Sequence, residues 1–452
     1  MPDVQPVMRV QRWREMSADD RARLLGRGVG AIFAPELKAQ IGEIIDDVRT
    51  NGDDAVCRAL HRFDGISVTP DRLRVTEAEF AAARAAVDDG LLAAIRDMVA
   101  HIRRFNEQVM ARKAQDWMFE SEPGLFVGEK ITPITSAALF CPSGKASYPS
   151  VLAQLGGPAV VAGVPDVVVV TPPVPGDAGG RVDAATLVVA DELGLRQVFR
   201  ANGPAGIAAV AFGTESVPKV VKVVGPGSPA VACAQVEVQR HGCSTMMLLG
   251  PSESLILADA TADPVRLAAD LLNEAEHGTD SSSVLVLVGD DLLGALQSEL
   301  ARQIVVLPPV RRAAAEAALG TNGGCVLVDS LEEGARVADL YAPEHMQVAT
   351  ADPDLALGLL HNAGEILLGQ DTPISCANFV IGCPASLPTS GFASVASGIT
   401  AEAFLKRTAI ARADAAALGR MAPATLALAD HEGFPSHANA VRIRVGGWPT
   451  PQ

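Results

Sequence analysis

Two textures of apolar spacing divide the chain. From Ser17 to about residue 112, apolar positions recur at intervals of three and four, the period of a helix with one buried face. Ser17 followed by Asp19 and Asp20 reads as an N-cap with an acidic first turn, and the runs Leu37–Val48 and Leu91–Phe105 continue the period. From about residue 130, short β-branched runs alternate with alanine-rich helical stretches. Ala137–Cys141, Val167–Thr171, Gln197–Arg200 and Val220–Val224 predict strands, with helices near 148–162, 184–193 and 204–212 between them. The pattern then restarts. Leu255–Asp259, Val284–Val288, Gln303–Leu307, Cys325–Val328, Met346–Ala349 and Glu365–Leu368 predict strands, and helices fall near 263–276, 290–302, 311–319, 331–340 and 353–361. Residues 398–444 return to a helical period, with a terminal strand expected at Val441–Val445.

Such alternation predicts an α/β fold with parallel sheets covered on both faces. The expected organisation is an N-terminal helical region over 1–129, two Rossmann-like domains over 130–245 and 246–385, and a small C-terminal segment over 386–452. Neither half carries GxGxxG after its first strand. The cluster Gly26-Arg27-Gly28-Val29-Gly30 follows no strand and reads as a turn rather than a dinucleotide fingerprint.

At 452 residues the chain is long enough for two or three well-buried cores. Its formal charge of −16 argues against nucleic acid and anionic membranes, both of which need clustered Lys and Arg. Aromatics at 4% leave little for stacking bases. The cysteines, Cys57, Cys141, Cys233, Cys243, Cys325, Cys376 and Cys383, are scattered, odd in number and form no CxxC, so a reducing compartment is expected. The opening MPDVQPVMRVQRWREM has no apolar signal core, and no stretch approaches the roughly 20 apolar residues of a membrane span. The expectation is a cytoplasmic protein.

Four constellations can carry chemistry. Glu274 and His277, three apart near the end of a helix stopped by Gly278, share a face and offer half of a zinc or manganese site. The competing reading is an exposed helix end whose imidazolium complements the dipole. Glu344 and His345 fall between a helix and a strand, where adjacent residues point to different sides. Such a pair supplies a general base and a water-activating carboxylate for two separate steps, or it is a solvated connection. The segment Glu432-Gly433-Phe434-Pro435-Ser436-His437 is by itself a polar loop. In Ser375–Pro384, Cys376 and Cys383 read as incidental thiols rather than metal ligands.

Taken in order, these segments resemble the histidinol dehydrogenase family from roughly residue 20 to residue 444. The resemblance rests on Pro142-Ser143-Gly144-Lys145-Ala146-Ser147-Tyr148-Pro149-Ser150, Ile207–Thr214 and Val224-Gly225-Pro226-Gly227. It continues through Gly250-Pro251-Ser252-Glu253, Ala275-Glu276-His277, Pro343-Glu344-His345, Leu387-Pro388-Thr389-Ser390-Gly391 and Glu432-Gly433 with His437. It implies an NAD-dependent, zinc-containing homodimer that oxidises a primary alcohol through an aldehyde to a carboxylate. His345 would then be the base and Glu344 the activator of water. Ser252 and Glu432 would contact substrate, and the helical C-terminal segment would be a dimerisation element carrying Glu432 and His437 into the neighbouring subunit's site.

The departures are specific. The family's metal ligands Gln, His, Asp and His correspond to Glu274, His277, Asn378 and His437, so carboxylate and carboxamide have exchanged places while the net charge of the set is kept. An imidazole beside the substrate is replaced at Ala385, which disfavours histidinol itself. Glu276-His277-Gly278 followed by Ser281, and Glu344-His345-Met346-Gln347-Val348, more closely resemble the branch of the family that acts on other small polyols, such as sulfopropanediol. The positions matching NAD contacts hold Phe140, Ala205 and Ser228. The alternative reading is therefore a non-redox or catalytically silent member on the same scaffold.

Overall fold

The computed structural model describes residues 7–27, 34–143, 147–246 and 250–446. Gly28, Val29 and Gly30 of the glycine cluster, and Gly144, Lys145 and Ala146, lie outside the described residues. In chain order the strands are β1 (Val10–Arg12), β2 (Trp117–Glu122), β3 (Leu125–Pro133), β4 (Ser136–Phe140), β5 (Asp166–Thr171), β6 (Gln197–Arg200), β7 (Val223–Val224), β8 (Glu253–Ala258), β9 (Ser282–Val288), β10 (Gly324–Val328), β11 (His345–Ala349), β12 (Glu365–Leu368) and β13 (Leu405–Ala413). They build a parallel sheet of order β6-β5-β4-β7, a parallel sheet of order β1-β10-β9-β8-β11-β12, and an antiparallel sheet of order β13-β3-β2.

The fold is the α/β arrangement of parallel sheets that the alternation predicts. Strands such as β4, β8 and β10 are buried along their whole length. This is why they read as unbroken apolar runs rather than alternating ones. The helices between them start where proline fixes the first turn: Pro149–Ala162, Pro229–Gln239, Pro264–Ala275 and Pro309–Ala317. In each parallel sheet the strand order reverses once, between β4 and β7 and between β8 and β11.

The chain forms two compact units. Met1–Gln108 with Ile134–Phe404 is one, and Val109–Pro133 with Leu405–Gln452 is the other. The first holds both parallel sheets, and the helical period near the N-terminus becomes the helices Ala18–Leu25, Pro35–Ala59, Glu77–Ala86 and most of Asp89–Lys113. The second holds the antiparallel sheet with the helices Ala415–His431 and Pro435–Arg442.

Three expected elements differ. No strand forms at Gln303–Leu307: Leu296, Leu300 and Ile304, four apart, are the buried stripe of the helix Leu293–Ile304, while Val305 and Val306 turn outward. That edge of the sheet is taken by β1, which pairs with β10. Residues 405–413 are not helical but form β13, paired residue by residue with β3. The expected terminal strand Val441–Val445 is instead the end of the helix Pro435–Arg442 and the turn after it.

A buried cation ties the N-terminal helices to the first parallel sheet. Arg200, at the end of β6, is 1% exposed. Its guanidinium donates to the carbonyl oxygens of Gly180 (2.6 Å) and Arg72 (2.8 Å) and pairs with the Glu79 carboxylate. Glu79 also closes a capping box with Thr76 at the start of Glu77–Ala86. Glu79→Ala should therefore leave a buried charge without its counter-ion and remove the side-chain half of the capping box that accepts the Thr76 N–H. The expected loss is about 2 kcal/mol, toward the low end for a broken buried pair because Glu79 is partly exposed. Equilibrium urea unfolding measures it; an unchanged midpoint would contradict the assignment.

Candidate active site

His345 opens β11 at the amino ends of the second parallel sheet. The register places it opposite Ser254 of β8 on one side and Glu365 of β12 on the other. Side chains at opposed positions share a face, so Glu365 lies beside the imidazole, with Oε1 at 2.5 Å from Nδ1. The other ring nitrogen, Nε2, stands 3.7 Å from Oε1 of Glu344. Glu344 and His345 therefore converge on one place, where an extended segment alone predicts opposite sides. The cause is local: the helix Leu331–Tyr341 ends on Ala342 at φ 46°, and Glu344 precedes the strand.

The second oxygen of Glu344 accepts the backbone N–H of Glu253 at 3.0 Å. Glu253 in turn accepts the backbone N–H of Ser390 (2.8 Å) and pairs with Arg27 (2.8 Å). Arg27 lies 3.5 Å from the centre of the Tyr341 ring and donates to the Tyr341 carbonyl, while the Tyr341 hydroxyl donates to Ser282 at 2.8 Å. Ala342 and Ser390 are the non-glycine residues with positive φ among the described residues, and both adjoin this network. Backbone held in that region by its surroundings is typical of sites that need fixed geometry.

Burial dominates the electrostatics. It pushes the Glu344 carboxyl up to about 8, with His345 pulling the other way and Glu274 adding to the rise. Burial also raises Glu253 to about 7 against the pull of Arg27. For His345 burial alone disfavours the charged ring, but Glu344 and the hydrogen bond to Glu365 outweigh it and raise the imidazole to about 10. The positive ring is what lets so many carboxyl groups share one interior.

Three of the four expected metal positions come together. Asn378, in the turn Ala377–Ile381, donates its amide to Oε1 of Glu274 at 2.7 Å, and Nδ1 of His277 is 3.3 Å from Oε2 of Glu274. Glu274 is buried on the helix Pro264–Ala275, while His277 is exposed just beyond its end. Among the described residues no group of three His, Cys, Asp or Glu is arranged to hold a metal; here the third donor is an amide. His437 and Glu432 belong to the other compact unit, exposed on and beside the helix Pro435–Arg442, with the His437 ring against Phe434. Ser252 stands just before β8, half-buried.

The expected cofactor positions lie at the carboxyl ends of the first parallel sheet, Phe140 and Ser228 beside the reversal of strand order between β4 and β7 and Ala205 beyond the edge strand β6. Phe140 ends β4 and Ala205 sits in the first turn of the helix Gly203–Phe212; both side chains are buried in the apolar core. Ser228 is exposed and precedes the helix Pro229–Gln239, making no side-chain cap. Gly225, at φ 139°, brings its backbone so close to Phe140 that a Cβ would lie 2.1 Å from that carbonyl oxygen.

Spacing in the sequence assigns no role in the site to Arg27, Glu253, Tyr341 or Glu365 and leaves Cys383 an incidental thiol. Cys383 donates to Glu365 at 3.2 Å. A charge in the otherwise apolar Glu365–Leu368 run was the available signal for Glu365.

The family model of histidinol dehydrogenase matches residues 31–445. A histidinol dehydrogenase homolog from Colwellia psychrerythraea is 40% identical over 440 residues, covering 96% of either chain. The histidinol dehydrogenase of Synechocystis is 42% identical over 404 residues, 89% of this chain and 91% of its own. The crystal structure of the enzyme from Elizabethkingia anophelis superposes with a TM-score of 0.90 at 29% identity, over 97% of this chain and 98% of that one. The fold is thus that of a histidinol dehydrogenase. The chain belongs to the histidinol dehydrogenase family.

A pH dependence follows from the buried site. Glu253 and Glu344 hold their protons more tightly when folded, so their contribution to stability is complete below the ordinary carboxylate range and is lost as pH rises through about 7 and about 8. His345 acts in the same direction, its contribution fading as pH climbs toward about 10. The metal-free protein should lose thermal stability steadily from about pH 5 to about pH 9, and Glu344→Gln should flatten that decline. Melting curves at fixed ionic strength test this; an equally steep decline in the variant would remove the assigned linkage.

Proposed function

We propose that the protein is an NAD-dependent, zinc-assisted dehydrogenase that oxidises a small polar primary alcohol, other than histidinol, through an aldehyde to a carboxylate. The observation that carries this reading is the buried Glu344–His345 pair, with Glu274 close enough to influence both. His345 takes the alcohol proton in the first oxidation from its neutral form, so the ring must first release the second proton that the surrounding carboxyl groups favour. Glu344, in its ionised form, draws a proton from water as it adds to the aldehyde, which prepares the second oxidation. Burial serves both roles by keeping solvent from competing for these protons.

The donor chemistry of Glu274, Asn378 and His277 fits zinc: a carboxylate oxygen, a carboxamide oxygen and an imidazole nitrogen are all ligand types the ion accepts. His437 completes the set in this reading, supplied with Glu432 by a second copy of the chain. The exposure of His437 and of every residue of β2 on its compact unit supports a homodimer. Zinc, when held there, polarises the substrate oxygen. At the other site, the helix starts at Gly203 and Ser228 suit a dinucleotide diphosphate, since first-turn N–H groups favour anions and no side chain caps the second helix. NAD, when bound, accepts the hydride.

Ala385 in place of an imidazole supports a substrate without the ring of histidinol. A second reading, a non-redox member of the family, is favoured by one observation: the side chains of Phe140 and Ala205 are committed to the core. Saturating NAD should raise the melting temperature under the first reading and leave it unmoved under the second.

Two further outcomes are expected. Gently purified protein should carry about one zinc per chain by elemental analysis, and His277→Ala should lose it; metal-free wild type that fails to rebind zinc would sink the swapped ligand set. Across a panel of amino alcohols and diols, absorbance of reduced nicotinamide should reveal a substrate. With that substrate Glu344→Gln should slow the aldehyde-to-acid half by roughly 100-fold while sparing the first half. Equal loss in both halves would overturn the assignment of Glu344.

A further inference from the structure

Glu365 has no place in the mechanism above, yet it makes the shortest contact to its base. It opens β12 one strand over from His345, in register with it. Its side chain is 5% exposed, and its two oxygens are divided between two partners: Oε1 lies 2.5 Å from Nδ1 of His345, and Oε2 accepts from Sγ of Cys383 at 3.2 Å. Gly364 makes the approach possible, because a Cβ there would lie 2.5 Å from the Glu344 carbonyl oxygen. The backbone is pinned as well, by Gly364 N–H to Pro343 O (2.9 Å) and Glu365 N–H to Glu344 O (3.1 Å).

We infer that Glu365, braced by Cys383, is a positioning residue for His345: it accepts the Nδ1 proton and so leaves Nε2 as the ring nitrogen that faces Glu344 and the reacting alcohol. While the ring is positive both nitrogens donate; once it has lost one proton it has one donor and one acceptor nitrogen, and the carboxylate at Nδ1 fixes Nε2 as the acceptor. The second Glu365 oxygen is occupied by a thiol that stays protonated: burial pushes Cys383 up to about 12, and the neighbouring Glu365 adds to the rise. The thiol therefore acts as a hydrogen-bond donor that fixes the rotamer of Glu365, not as a nucleophile.

Other groups also face His345. Glu344 stands on the same segment, Glu274 on the helix Pro264–Ala275 and Glu253 on β8. Glu365 differs from them in making a direct hydrogen bond to the ring.

The role of His345 as base rests on the proposed dehydrogenase activity, but the geometry can be tested without turnover. In full-length protein with 15N-labelled histidine, the His345 ring signals are assigned by their absence in His345→Asn. The wild type should show Nδ1 carrying a hydrogen-bonded proton and a titration midpoint well above those of the other histidines. Glu365→Gln, which keeps shape and loses charge, should lower that midpoint by at least about one pH unit. Should that variant fail to fold, the wild-type spectrum still decides: a neutral ring protonated at Nε2 overturns the inference. An unmoved midpoint in a folded Glu365→Gln also overturns it. With an alcohol found in the panel, Glu365→Gln should reduce kcat roughly 10- to 100-fold and leave KM within about threefold. A change confined to KM would count against a positioning role. A protein that reduces no NAD would remove the dehydrogenase proposal and leave the ring measurement standing.

Discussion

One imidazole holds the site together. His345 is enclosed with Glu344 and Glu365 in direct reach and Glu274 and Glu253 nearby. Buried carboxyl groups cannot all ionise in one interior unless cations lie among them. Arg27 answers Glu253, and the ring of His345 answers the rest. The strained backbone at Ala342 and Ser390, the Tyr341 stack on Arg27 and the register of β11 with β12 all serve to keep that one ring in place.

The two parallel sheets put their candidate sites at opposite ends of their strands. In the first, the expected cofactor positions lie outside the carboxyl ends, and Phe140 and Ser228 fall where the strand order reverses, as is usual for open α/β sheets. In the second, Glu253, Ser282, His345 and Glu365 are all first residues of their strands, so the acid–base cluster sits at the amino ends. Helix N-termini, which attract anions, belong to carboxyl ends in such sheets.

Much of the fold was legible because buried parallel strands announce themselves as apolar runs, as β8 and β9 do. β13 was missed because its alternation is weak and its faces are exposed, so nothing in Leu405–Ala413 separates strand from helix by burial. Val305 and Val306 misled in the opposite sense, as β-branched residues that face outward after a helix. Of the candidate site, Glu344, His345, Glu274 and His277 stand in ordered short motifs, whereas Asn378 enters only through its correspondence with a metal ligand of the family. Glu365 was not, since its meaning lies in the register of two parallel strands and no local spacing encodes it. Arg27 was hidden for the same reason: its partner Glu253 is far away in the chain.

The pairing of β1 with β10 carries a consequence for how the molecule is made. Val10 lies against Cys325, a partner that follows it by roughly 300 residues. At about 10 residues per second, the ribosome releases that partner roughly half a minute after β1 has emerged. Until then the open flank of β10 does not exist, and the nascent segment must wait without its sheet. Bulky fusions at the leading end would therefore burden assembly more than the same cargo on an exposed loop.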